Sequence, residues 1–105
     1  MEMLKIEKRF FYKDYECIII KQPMGWHCAY INVPKENKFY NMPYWKLPIA
    51  AHGGITYAEK YLNGVYNYDK DLYIIGWDYA HFGVADTDIK TIIKDCMDVV
   101  DQIIN

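Results

Sequence analysis

Tyr15-Glu16-Cys17-Ile18-Ile19-Ile20-Lys21 is the stretch that decides the fold: four consecutive apolar residues held between polar ends. β-Branched side chains in series favour extended backbone, and successive side chains of a strand point to opposite faces. Cys17 to Ile20 therefore carries apolar groups on both faces, as expected of a central strand covered on each side. Pro23-Met24-Gly25 then supplies a turn, and Trp26 to Val33 reads as the partner strand, ended by Pro34. A period of two puts His27, Ala29, Ile31 and Val33 on one face and Trp26, Cys28, Tyr30 and Asn32 on the other. His27 thus shares the more aliphatic face, either as a satisfied core residue or as part of a pocket.

Upstream, Met3 to Tyr12 mixes Leu4, Ile6, Phe10 and Phe11 with charges. It reads as a short helix or as the first arm of a hairpin turning at Lys13-Asp14. Downstream, Pro34 to Ala50 has no convincing period, and such a long loop is usually mobile or a functional cover. It carries Phe39, Tyr40, Tyr44 and Trp45, so it is expected to fold over its own sheet, a ligand or a second subunit. His52-Gly53-Gly54 opens a strand-like run from Ile55 to Ala58, and Asp71 to Tyr79 forms the last strong strand. There, Tyr73, Ile75 and Trp77 alternate with Leu72, Ile74, Gly76 and Asp78. Unbroken extension would turn Asp78 and His81 to opposite sides, so their joint action needs a bend between them.

The spacing predicts a helix over Asp86 to Ile104. Ile89, Ile92, Ile93, Cys96, Val99, Val100 and Ile103 form one apolar stripe, capped by Asp86 or Thr87, with Asp88 in the first turn. The expectation is a single α+β domain over residues 1–105, an antiparallel or mixed sheet of about four or five strands with the C-terminal helix packed on one face.

The composition, 52% hydrophobic and 25% charged over 105 residues, argues against disorder, and the formal net charge of -2 argues against a duplex nucleic-acid footprint. Cys17, Cys28 and Cys96 are odd in number and lack a CxxC spacing, which fits free buried thiols in a reducing compartment. No leader pattern and no apolar run of membrane-span length is present, so a cytoplasmic location is expected.

Three histidines carry the candidate chemistry, in Gly25-Trp26-His27-Cys28, His52-Gly53-Gly54 and Gly76-Trp77-Asp78-Tyr79-Ala80-His81-Phe82-Gly83. Asp78 and His81 are the residue types of a carboxylate–histidine pair, in which the carboxylate fixes the imidazole tautomer. With His27 and His52 they form a nitrogen-rich set compatible with zinc or another first-row metal, although no HExxH or phosphate-cradling glycine motif accompanies them. Thr56, Cys28, Tyr57 and Tyr79 are further nucleophile or hydrogen-bonding candidates. The preferred reading is binding of a small polar or nucleotide-like ligand, or of a host protein. His27, Gly53, Gly54, Thr56 and Trp77 would contact it alongside His52, Asp78 and His81. The rivals are a small hydrolase using His52 or His81 oriented by Asp78, with or without a metal, and a protein-interaction module built on Trp45 and nearby aromatics, including a homodimer.

The His52-Gly53-Gly54-Ile55-Thr56 and Gly76-x-Asp78-x-Ala80-His81-x-Gly83 segments resemble a group of small proteins from bacteriophages, prophages and Firmicutes-type genomes, whose reaction is not established. The resemblance extends to Gly25, His27, Cys28, Tyr30, Val33 and Pro34, and departs at Val84, where the group often carries aspartate. It implies that the three segments converge, and a mobile-element origin would suit interference with a host system or sequestration of a signalling nucleotide.

Overall fold

A computed structural model describes residues 5–80 and 87–104. Five strands, β1 (Lys5–Tyr12), β2 (Tyr15–Lys21), β3 (His27–Asn32), β4 (Tyr57–Glu59) and β5 (Ile74–Asp78), form one sheet in the order β1-β2-β3-β5-β4. Every neighbouring pair is antiparallel. The helix α1 (Ile89–Ile103) packs against β2 and β3.

The N-terminal ambiguity resolves as a hairpin. Lys13 and Asp14 both adopt positive φ, 50° and 68°, the backbone of a two-residue turn whose twist matches that of the flanking strands. Such φ values are costly for lysine, and packing of Phe10 and Tyr12 against the core holds them.

Ile18, Ile19 and Ile20 are all buried because the two faces of β2 are covered by different parts of the chain. On one side Cys17, Ile19, Ala29, Ile31, Ile75 and Trp77 meet Ile92, Cys96, Val99, Val100 and Ile103 of α1. On the other, Ile18, Ile20, Cys28, Tyr30 and Ile74 lie under Leu62, Val65, Tyr66 and Leu72, from the connection between β4 and β5. Full burial of each isoleucine contributes about 1.5–3 kcal/mol of transfer free energy. The face assignments expected for β3 and β5 hold, with Ala29, Ile31, Val33, Tyr73, Ile75 and Trp77 all on the helix side.

Strand ends are tighter than their sequence signals. β5 spans Ile74–Asp78 rather than Asp71 to Tyr79, and β4 spans Tyr57–Glu59 rather than Ile55 to Ala58, since a strand ends where its ladder ends, not where its hydrophobicity does. The helix begins at Ile89, and its N-cap is Asp88, whose carboxylate accepts from the Lys90 amide at 3.3 Å. The cap expected at Asp86 or Thr87 is thereby corrected: Asp88 holds the extended φ/ψ of a capping residue.

Part of the Pro34 to Ala50 loop covers its own domain. Ile49 is buried, and Phe39, Tyr40 and Leu47 pack on the helix-side core. Gln102 of α1 brackets Ala50, accepting from its amide at 2.7 Å and donating to its carbonyl at 2.8 Å. Asn37 donates to the Ile103 carbonyl at 2.8 Å. Tyr44 and Trp45 remain outside this packing and are exposed.

Among the described residues no helix is long and apolar enough to cross a membrane. Cys17, Cys28 and Cys96 are free and buried, as their apolar settings suggested.

Candidate functional site

Antiparallel pairing of β3 with β5 places the start of one beside the end of the other. Cys28 lies opposite Asp78, and the Tyr79 amide donates to the His27 carbonyl at 2.9 Å. Against this end folds the turn Ala51-His52-Gly53-Gly54, closed by the Gly54 amide donating to the Ala51 carbonyl at 2.9 Å. Gly53 and Gly54 take φ of 71° and 84°, left-handed values that a Cβ would strain. The turn lays the His52 ring on Tyr79, with centroids 4.5 Å apart and planes 27° from parallel. Two residues past the turn, the Thr56 amide donates to the Gly76 carbonyl at 3.0 Å, and the Thr56 hydroxyl lies 3.5 Å from Asp78 Oδ2. The other Asp78 oxygen accepts from the Ala80 amide at 3.1 Å, just past the end of β5. Segments carrying His27, His52, Thr56 and Asp78 thus meet at one end of the sheet. His81 lies outside the described residues.

These side chains differ in access. His52 and Asp78 are partly exposed, and Thr56 and Gly53 are exposed. His27 is buried on the helix-side face, its Nε2 3.8 Å from Glu7 Oε1 across the sheet. Trp77 is enclosed, and its indole N–H donates to the Tyr79 hydroxyl at 2.9 Å. Tyr79 in turn donates to Asp95 Oδ2 of α1 at 2.7 Å. Burial, reinforced by Asp95, pushes the Tyr79 phenol well above its usual range, so it stays protonated as a donor. Burial likewise raises the Cys28 thiol, which argues against a thiolate there at neutral pH.

His52 forms one wall of an open cleft of about 370 Å³, lined also by Ala50, Ala51, Asp95, Asp98 and Gln102. Asp95 and Asp98 are one helical turn apart and face the cleft from α1. The sequence reading missed them because polar residues on a helix read as solvated surface; only their spacing of three on the flank nearest the apolar stripe could have signalled a shared edge. Among the described residues no group of three or more His, Cys, Asp or Glu side chains is arranged to hold a metal ion.

A second polar cluster was also unanticipated. Glu16 is buried beneath the β4–β5 connection, accepting from Arg9 Nε at 2.6 Å, the Tyr66 hydroxyl at 2.5 Å and Asn32 Nδ2 at 3.3 Å. Burial alone would raise its pKa, but donors from Tyr66, Arg9 and Asn32 together hold it below the usual carboxylate value. It is a cross-strand tie remote from the histidines. The chain matches no protein-family model, and no curated protein or solved structure shows significant similarity to it.

Proposed function

We propose that this protein binds a small polar molecule at the end of the sheet where the His52 turn meets Asp78 and Tyr79. The observation that carries the reading is the meeting itself: a left-handed glycine turn holds His52 on Tyr79 while Thr56 reaches Asp78. Nothing in packing requires Gly53-Gly54 here, since a Cβ at either position would meet no neighbouring atom; what the glycines supply is the backbone shape that presents His52. The accessible polar groups about the turn are chiefly carboxylate acceptors, Asp95 and Asp98 lining the His52 cleft on the helix side and Asp78 at the strand end on the sheet's other face, with the His52 imidazole between them. Such a rim suits a ligand rich in N–H and O–H donors, for example a nucleoside or a small amine, and repels a multiply charged phosphate. Within the nucleotide-like class, the base and sugar rather than the phosphates fit this site.

The test is native mass spectrometry of the purified chain for a retained small molecule, followed by amide NMR titration with adenosine, guanosine, cytidine and putrescine as separate probes. The reading expects saturable shifts at His52, Thr56 and Asp78 with at least one probe, weakened about tenfold or more by Asp78→Asn. Shifts confined to other surfaces, or equal affinity in Asp78→Asn and His52→Ala, would overturn it.

A further inference from the structure

Between β4 and β5 the chain reverses at Leu62-Asn63-Gly64-Val65-Tyr66, where Leu62 and Tyr66 form an isolated antiparallel bridge. The Val65 and Tyr66 amides both donate to the Leu62 carbonyl, at 2.9 and 2.7 Å, and the Leu62 amide donates to the Tyr66 carbonyl at 2.8 Å. The Gly64 amide takes no part in this network, and its φ of 81° lies in the left-handed region that glycine adopts without cost. Asn63 and Gly64 are both exposed, and a Cβ at Gly64 would meet no atom within 4 Å, so the space beside its nitrogen is open.

Asn63 stands apart from the other described asparagines. Asn32 donates to Glu16 at 3.3 Å, Asn37 donates to the Tyr15 hydroxyl and the Ile103 carbonyl, both at 2.8 Å, and Asn41 accepts from Lys60 at 2.7 Å. Asn67 is followed by Tyr68, whose side chain crowds the amide nitrogen next to it. Asn63 alone combines a carboxamide with no hydrogen-bond partner among the described residues and a following residue without a side chain. A free carboxamide beside an unbonded, unhindered main-chain N–H is the reactant pair for ring closure, and the chain already holds the two together.

We propose that Asn63-Gly64 is a self-modification site, at which the asparagine deamidates through a succinimide to leave aspartate or isoaspartate at position 63. The Gly64 nitrogen gives its proton to hydroxide and bonds to Asn63 Cγ. The carboxamide C–N bond breaks, and its nitrogen leaves as ammonia. Water then adds to one of the two ring carbonyls, and the ring C–N bond at that carbon breaks. Opening at Cγ gives aspartate; opening at the main-chain carbon gives isoaspartate. Either product adds one negative charge to a chain whose formal net charge is -2. Isoaspartate also routes the backbone through the side-chain carbon and so lengthens the turn. That turn carries Leu62, Val65 and Tyr66 onto the face of Ile18 and Ile20, and Tyr66 donates to the buried Glu16 at 2.5 Å. The isoaspartate form therefore loosens the cover on this side of the sheet, whereas the aspartate form keeps its backbone.

The chemistry needs no ligand and is independent of the sheet-end cleft. The experiment is incubation of the folded full chain at neutral and mildly alkaline pH, with peptide mapping by mass spectrometry and isoaspartate measured by enzymatic carboxyl methylation. Conversion at position 63 is expected to run about tenfold or more ahead of that at Asn67, and to accelerate as pH rises. Asn63→Gln, which would have to close a six-membered ring, and Gly64→Ala should each suppress it; Asn63→Gln keeps the glycine and so reads the chemistry even where the alanine strains the turn. The isoaspartate fraction should melt below the parent and Asn63→Asp with it. Conversion at Asn63 no faster than at Asn67, a rate indifferent to pH, undiminished conversion at position 63 in Asn63→Gln, or an isoaspartate form melting with the parent would each overturn the proposal.

Discussion

Replacing Gly76 with alanine should destabilise the protein by about 2–3 kcal/mol, although the change adds one methyl group to a position with ordinary strand backbone. A Cβ at Gly76 would stand 2.4 Å from Tyr30 Cδ1, 2.8 Å from Tyr30 Cε1 and 2.8 Å from the Ala29 carbonyl oxygen. The ring can yield only by leaving Tyr57, which it meets edge-on at 5.2 Å, a contact worth about 0.5–1.5 kcal/mol. The carbonyl can yield only by distorting the β3–β5 ladder, and overpacking of this kind costs about 1–3 kcal/mol. Reduced freedom of the unfolded chain returns about 0.4–1 kcal/mol. Urea denaturation gives the loss directly, and thermal melting should fall by about 10–20 °C for a domain of this size. A double-mutant cycle sharpens the reasoning: in a Tyr30→Ala background the ring contacts vanish and only the carbonyl contact remains. Gly76→Ala should then cost at least about 1 kcal/mol less. A loss below about 0.5 kcal/mol in the parent, or equal losses in both backgrounds, would refute the steric account.

Glu16→Ala should cost about 2–4 kcal/mol near neutral pH, because Tyr66, Arg9 and Asn32 lose a shared charged acceptor. The native carboxyl sits below its ordinary value of 4.5, so its stabilising contribution is present above that pH and fades as pH falls through the lower native pKa. Denaturation curves taken down to about pH 3 should therefore show parent and variant converging, and a constant gap would sink the assignment. Tyr79→Phe should lose about 1–3 kcal/mol by leaving the enclosed Trp77 N–H without its acceptor, more than Asp95→Ala, which keeps that acceptor in place. Calorimetry on the two variants orders them; the reverse order would mean that the chain from Trp77 to Asp95 does not hold the ring under His52.

Local chemistry made much of the architecture readable. Ile18-Ile19-Ile20 required cover on both sides of a strand, and the stripe from Ile89 to Ile103 required a helix on a sheet; both requirements are met. The alternation of β3 and β5 assigned each side chain to its face because a period of two leaves no other choice in a two-sided sheet. The sequence alone also singled out the His52 turn and Asp78, since paired glycines and a carboxylate at a strand end are local features.

Contacts between distant segments were decided by the tertiary structure, because they depend on strand order rather than on any run of residues. The insertion of β5 between β3 and β4 brings Tyr30 onto Gly76 and the turn at His52 onto Tyr79. Trp77, expected from the sequence to contact a ligand, is instead enclosed, since its face of β5 is the one under the helix side. Lys60 and Glu59 are neighbours with ordinary surface composition, yet folding ties the Lys60 ammonium to Asn41 Oδ1 and the Lys70 carbonyl while Glu59 stays exposed. No pattern in a single chain carries that difference, for it arises only when Asn41, Lys70 and Tyr40, far apart in sequence, are gathered around one ammonium group.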